Sequence, residues 1–85
     1  MCRAFLVSSS DKLGEEGYTV LMNYVANSVE AGNNDGYFLA ILNNGKWTKI
    51  RTMDLEKYVA FLRENRERIV NAKAVAGHLR LATTE

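Results

Sequence analysis

"YFLAILNNGKWTKIRT", Tyr37 to Thr52, is the stretch on which the fold turns. Tyr37 to Leu42 is apolar at every position, so a strand there shows apolar side chains on both faces and needs cover on both. Asn43, Asn44 and Gly45 follow. An Asn-Gly pair tolerates the positive φ angles of a tight hairpin turn, so Lys46 to Thr52 is expected to return antiparallel beside the first strand. Strict alternation along that second strand puts Trp47, Lys49 and Arg51 on one face.

Working upstream, "AGNNDG" at Ala31 to Gly36 is a turn, with Gly32 suited to a left-handed helix cap. Before it, Leu21, Tyr24, Val25, Ser28 and Val29 follow the three-and-four spacing of an amphipathic helix from Tyr18 to about Glu30. Ser8 to Gly17 reads as a polar loop, and Cys2 to Val7 as a short strand covered on both sides. Downstream, Asp54 is placed to cap one longer helix whose buried side is Leu55, Tyr58, Val59, Leu62, Ile69 and Val70. Within it, "RENRER" at Arg63 to Arg68 reads as a solvated face, with Glu64 and Arg68 spaced as a helix-surface pair. Ala72 to Ala82 is the last strand. The expected order is strand, helix, strand, strand, helix, strand, an α+β arrangement. Two helices cover one side of a four-stranded sheet, so the other side awaits something else.

At 85 residues the chain makes a single domain, residues 1–85, that removes roughly 60 to 65% of its unfolded surface from water. With 47% apolar and 25% charged residues and no proline, it is expected to fold. No apolar run approaches the roughly 20 residues that cross a bilayer. The start "MCRAFLVSSS" has too short an apolar part for a secretory signal, so the expectation is a soluble, cytoplasmic protein without a membrane partner. One cysteine makes no internal disulfide, and one cysteine with one histidine cannot supply the four ligands of a structural zinc site. No metal or other cofactor is expected. Eleven Lys and Arg nearly balance ten Asp and Glu. The one basic stretch, "KWTKIR" at Lys46 to Arg51, could stack and neutralise single-stranded nucleic acid through Trp47, Lys49 and Arg51. The plainer reading, an edge strand kept soluble by its lysines, is preferred.

The two ends carry the remaining chemistry. If Met1 is removed, Cys2 becomes the first residue and holds both a thiol and a free α-amino group. An α-amino group titrates near about 8, so it accepts the thiol proton around neutral pH. Nucleophile and base then belong to one residue.

An initial "MC" before an apolar strand, a "DG" turn leading into a strand, and a later "GH-x-R-x-AT" segment occur here in order, as Cys2, Asp35 with Gly36, and Gly77, His78, Arg80, Ala82 and Thr83. Together they resemble the class II glutamine amidotransferases, a branch of the N-terminal-nucleophile hydrolases. The resemblance implies the first portion of an α/β/β/α sandwich, a partial amidotransferase domain. It also implies a glutaminase reaction on L-glutamine that releases ammonia for an acceptor. In that scheme Cys2 is the catalytic nucleophile and Arg80 holds the substrate carboxylate, while Thr83 lines the glutamine pocket. His78 positions Arg80, and Asp35 and Gly36 support the site from their turn. The pattern departs at Arg3, where members commonly carry glycine and a large charged side chain would stand near the site, and at Thr84 and Glu85, where a carboxylate would compete for Arg80. The family's Asn-Gly oxyanion pair and its amino-group-binding aspartate lie downstream of the motif; Asn44 and Gly45 belong to a hairpin and take no such role. Completion is therefore expected from a second polypeptide, a missing segment or the chain's own copy over the open sheet. The alternative is a catalytically inactive relative that serves as a protein-interaction module.

Overall fold

In the computed structural model, which describes residues 3–80, the elements run β1 (Arg3–Ser8), α1 (Gly14–Glu30), β2 (Gly36–Asn43), β3 (Lys46–Thr52), α2 (Leu55–Glu64), α3 (Arg66–Val70) and β4 (Ala74–Arg80). The Asn-Gly turn forms between β2 and β3 as its residues require, with φ of 51° at Asn44 and 77° at Gly45. Positive φ at both central positions is the geometry whose twist matches flanking antiparallel strands. The hairpin register pairs Tyr37 with Thr52 and Leu42 with Trp47.

The first helix is longer than its apolar spacing indicates. It begins at Gly14, not Tyr18, because Leu13 anchors its start: the Leu13 amide donates to the Ala72 carbonyl at 2.9 Å and its side chain packs against the core. The expected loop from Ser8 to Gly17 loses residues at both ends. At the other end Gly32 adopts φ 101°, its amide bonds to the Val29 carbonyl and the Asn33 amide to the Ser28 carbonyl. These two bonds satisfy carbonyls that the last helical turn leaves unpaired.

Asp54 caps α2 as expected, its carboxylate accepting from the amides of Glu56 and Lys57. The single long helix predicted after it is broken at Asn65, whose φ and ψ are −102° and 21°. Asn65 is nearly buried; its Nδ2 donates to the Phe61 carbonyl and its Oδ1 accepts from Arg68. An asparagine side chain competes with the helical ladder for backbone partners, and here it shares the Phe61 carbonyl with its own amide. The expected Glu64–Arg68 pair is therefore replaced by Arg68–Asn65, while Arg66 forms an ion pair with Glu15 of α1. Beyond the break, Ile69 and Ala72 are fully buried.

The strands form one antiparallel sheet in the order β1-β4-β2-β3. Tyr37, Leu39, Ile41, Val75 and Leu79 face the helices and pack with Leu21, Val25, Tyr58, Leu62 and Ile69. The Tyr58 ring stacks on Tyr37 with centroids 5.1 Å apart, and its hydroxyl donates to the Phe38 carbonyl at 3.0 Å. Gly77 is the gap that the Phe5 ring fills, since a Cβ there would lie 2.2 Å from the Phe5 ring.

The opposite face is open. Its side chains run in rows across the sheet: Ala4, His78, Phe38 and Arg51; then Leu6, Ala76, Ala40 and Lys49; then Ser8, Ala74, Leu42 and Trp47. No described element covers them, and Leu6 and Trp47 remain 67% and 49% exposed. The strands expected to be covered on both sides are covered, among the described residues, on one. No helix among the described residues is long and apolar enough to cross a membrane.

Candidate functional site

The turn that follows α1 delivers its residues to the end of β4. Asn33, directed inward by the helix cap, donates Nδ2 to the Leu79 carbonyl at 3.3 Å. The Asp35 amide donates to the Arg80 carbonyl at 2.9 Å, and Gly36 pairs with Arg80 in the β2–β4 ladder. Four of the residues singled out from the sequence, Asp35, Gly36, His78 and Arg80, thus meet at one end of the sheet. Arg3 is opposite Leu79 there. Cys2 and Thr83 lie outside the described residues, as do Ala82, Thr84 and Glu85.

On the open face this end forms a cleft of about 360 Å³ whose lining includes Gly36, Phe38, Arg51, Met53, His78 and Arg80. Arg80 leans across β2: a Cβ added to Gly36 would touch its Cβ at 3.6 Å and its Cδ at 3.9 Å. Arg51 leans over β2 from the other side, its guanidinium carbon 5.1 Å from the centroid of the Phe38 ring. Such a placement over an aromatic face holds a guanidinium in a preferred orientation. Among the described residues neither arginine has a carboxylate partner; the ion pair found there joins Arg66 to Glu15.

His78 is half-buried in the row between Ala4 and Phe38, two residues before Arg80 on the same face of β4. One expectation is corrected. Arg3 does not crowd the cleft: odd-numbered positions of β1 face the helices, and its guanidinium is 3.5 Å from Ser28 Oγ of α1. On the helix side of the same sheet end, the Tyr37 hydroxyl donates to the Asn34 carbonyl. Burial, then the charges of Asp35 and Asp54, push this phenol above its ordinary titration range.

Arg51 and Phe38 are among the cleft residues that sequence reasoning did not assign to the site. Alternation put Arg51 beside Trp47 and Lys49; the hairpin and β2–β4 registers together are what bring it to the row of His78. Two guanidinium groups facing an open cleft can hold a carboxylate or phosphate through parallel, charge-assisted hydrogen bonds. Among the described residues no cluster of three His, Cys, Asp or Glu could hold a metal ion.

Two other depressions contain none of these residues. One of about 480 Å³ sits at the far end of the sheet, beside Asp11, Lys12, Asn44 and Lys73, and is larger but lies away from the motif. The other, of about 380 Å³, is an apolar groove between α1 and α2 that includes Met22, Val29, Leu55 and Val59. Comparisons of this chain with protein-family models and with curated proteins find no match.

Proposed function

We propose that the chain is the N-terminal portion of a class II glutamine amidotransferase half-site, a glutaminase segment of the α/β/β/α N-terminal-nucleophile type acting in the cytoplasm. The observation that supports this reading is the ladder register. Arg3, bonded to Cys2, faces Leu79, bonded to Arg80, and Gly36 faces Arg80 from the other side. The residue bonded to Cys2 thus stands at the same end of the sheet as Gly36 and Arg80, as a site built from these segments needs.

The chemistry then follows. The α-amino group of Cys2 takes the thiol proton, and the sulfur bonds to the side-chain amide carbon of L-glutamine. The C–N bond breaks as the α-ammonium returns its proton to the leaving nitrogen, and ammonia departs. Water adds to the γ-glutamyl thioester, the C–S bond breaks, and glutamate leaves with the thiol restored. Arg80 holds the α-carboxylate, Thr83 lines the pocket, and Asp35 and Gly36 fix the end of β4 beside it. The oxyanion donors come from a second polypeptide, a further segment or a second copy lying over the open face. Losing one such donor costs about a hundredfold to a thousandfold in rate, so residues 1–85 alone should turn over slowly.

Intact-mass measurement combined with labelling by diazo-oxo-norleucine tests the reading. Removal of Met1 and a covalent adduct on Cys2, absent in Cys2→Ala, are expected. A retained Met1 or an unreactive thiol would sink it.

One observation favours a second reading. The open face exposes Leu6 and Trp47, as an inactive protein-interaction module would require. That module would sediment as an oligomer or complex, and a monomer that binds no apolar dye would count against it.

A further inference from the structure

We infer that Arg51 is a second oxyanion-binding residue of this site, closing with Arg80 over Gly36 on the carboxylate of a small amino-acid ligand. The inference rests on the proposed role of Arg80 and adds to it a residue from a different strand. Its basis is geometric. Arg80 on β4 and Arg51 on β3 flank β2, and both side chains lean over it, one across Gly36 and the other across the Phe38 ring. The floor beneath them is Gly36 and the Phe38 ring, and Gly36, lacking a side chain, leaves its part of the space open.

The electrostatics agree. Among the described residues, the lining of the cleft contains two arginines and a histidine and no carboxylate. Neither arginine is neutralised by an ion pair among the described residues. An anion that entered would therefore meet two guanidinium groups, one already oriented by its ring, and could give one carboxylate oxygen to each. At about 360 Å³ the cleft is at the small end of ligand sites, the scale of an amino acid. Lys49, on the same strand face as Arg51, belongs to the next row and does not line the cleft.

The test is titration of the whole chain, followed by two-dimensional amide NMR, with L-glutamate, L-glutamine and inorganic phosphate as probes. Wild type is compared with Arg51→Gln, Arg80→Gln and Lys49→Gln, each checked for native peak dispersion. Loss of a hydrogen bond to a charged group corresponds to about a ten- to hundredfold change in affinity. Arg51→Gln is expected to weaken L-glutamate binding by that factor, and Lys49→Gln by less than about twofold, the ordinary effect of an exposed charge. Phosphate binding with the same dependence on Arg51 would also support the pair of arginines, and would name a phosphate as the source of the anion. L-Glutamate binding lost in Arg80→Gln but unchanged in Arg51→Gln would overturn the inference and leave the glutaminase reading standing. Arg51-dependent binding in a chain whose Cys2 resists diazo-oxo-norleucine would do the reverse. Absence of shifts at the cleft with all three probes would overturn the inference outright.

Discussion

The backbone amide of Asp35 donates to the carbonyl oxygen of Arg80 at 2.9 Å, tying the entrance of β2 to the end of β4. The contact uses no side chain, yet it positions a stretch in which two separated motifs meet. The Asn33 side chain makes the neighbouring bond to Leu79 from a buried site.

Asn33→Ala should therefore loosen this end of the sheet. Leaving the Leu79 carbonyl without that partner is expected to cost about 1 to 2 kcal/mol, read by urea unfolding. Amide exchange at Arg80 should quicken more than exchange at Ile41, at the other end of β2. Equal exchange at both would remove Asn33 from its role as a local clamp.

Gly77→Ala should destabilise by about 1 to 3 kcal/mol, as overpacking does. The added Cβ would meet the Phe5 ring at 2.2 Å and the Phe38 carbonyl oxygen at 2.9 Å. Phe5→Leu removes the first obstruction but not the second, so the double variant should recover part of the loss. A cycle with no coupling between the two positions would contradict the packing described.

Tyr58→Phe should alter stability in two ways. At neutral pH it removes the bond to the Phe38 carbonyl, at a cost of about 1 kcal/mol. Burial raises the Tyr58 phenol far above its unfolded value of 10.0. A raised folded value means that the unfolded chain gives up its proton first. The stability from this group is thus fully present below pH 10 and falls as pH rises beyond it, by at most about 1.4 kcal/mol per pH unit. The check is the difference between wild type and variant, which isolates this one phenol. That difference should shrink above pH 10, and a constant difference would mean the phenol ionises without unfolding.

If Arg80 holds the substrate carboxylate, Arg80→Lys should raise KM for glutamine by about tenfold with kcat little changed, because one point charge replaces two parallel donors. Steady-state kinetics on a completed, active assembly would show it. A collapse of kcat at constant KM would assign Arg80 to the transition state instead.

Much of the secondary structure was legible because its signals are local. Asn44-Gly45 specifies a hairpin within four residues, Asp54 caps the helix next to it, and Gly32 ends α1 in the conformation only glycine takes freely. The break at Asn65 was not legible. Glu64 and Arg68 have the spacing of a continuous helix, and what overrides it is an asparagine side chain bonded within the turn and buried by tertiary packing. The site was readable in part. Asp35, Gly36, His78 and Arg80 stand in two segments that the motifs mark, and the β2–β4 ladder brings those segments together. Arg51 and Phe38 escaped because membership of the cleft depends on two strand registers at once, which no window of sequence contains.

The sheet order has a consequence for how the chain acquires its structure. β4 lies between β1 and β2, so the last of the four strands to leave a ribosome is the one that both earlier strands require. Until residues 74–80 are available, β1 has no partner and the hairpin presents an unpaired edge. Closing so long a loop before its contacts form is slow, and the waiting intermediate exposes apolar strands. The kinetic bottleneck should be insertion of β4 into a preformed slot beside the hairpin, which makes early synthesis the interval of greatest risk for misassociation.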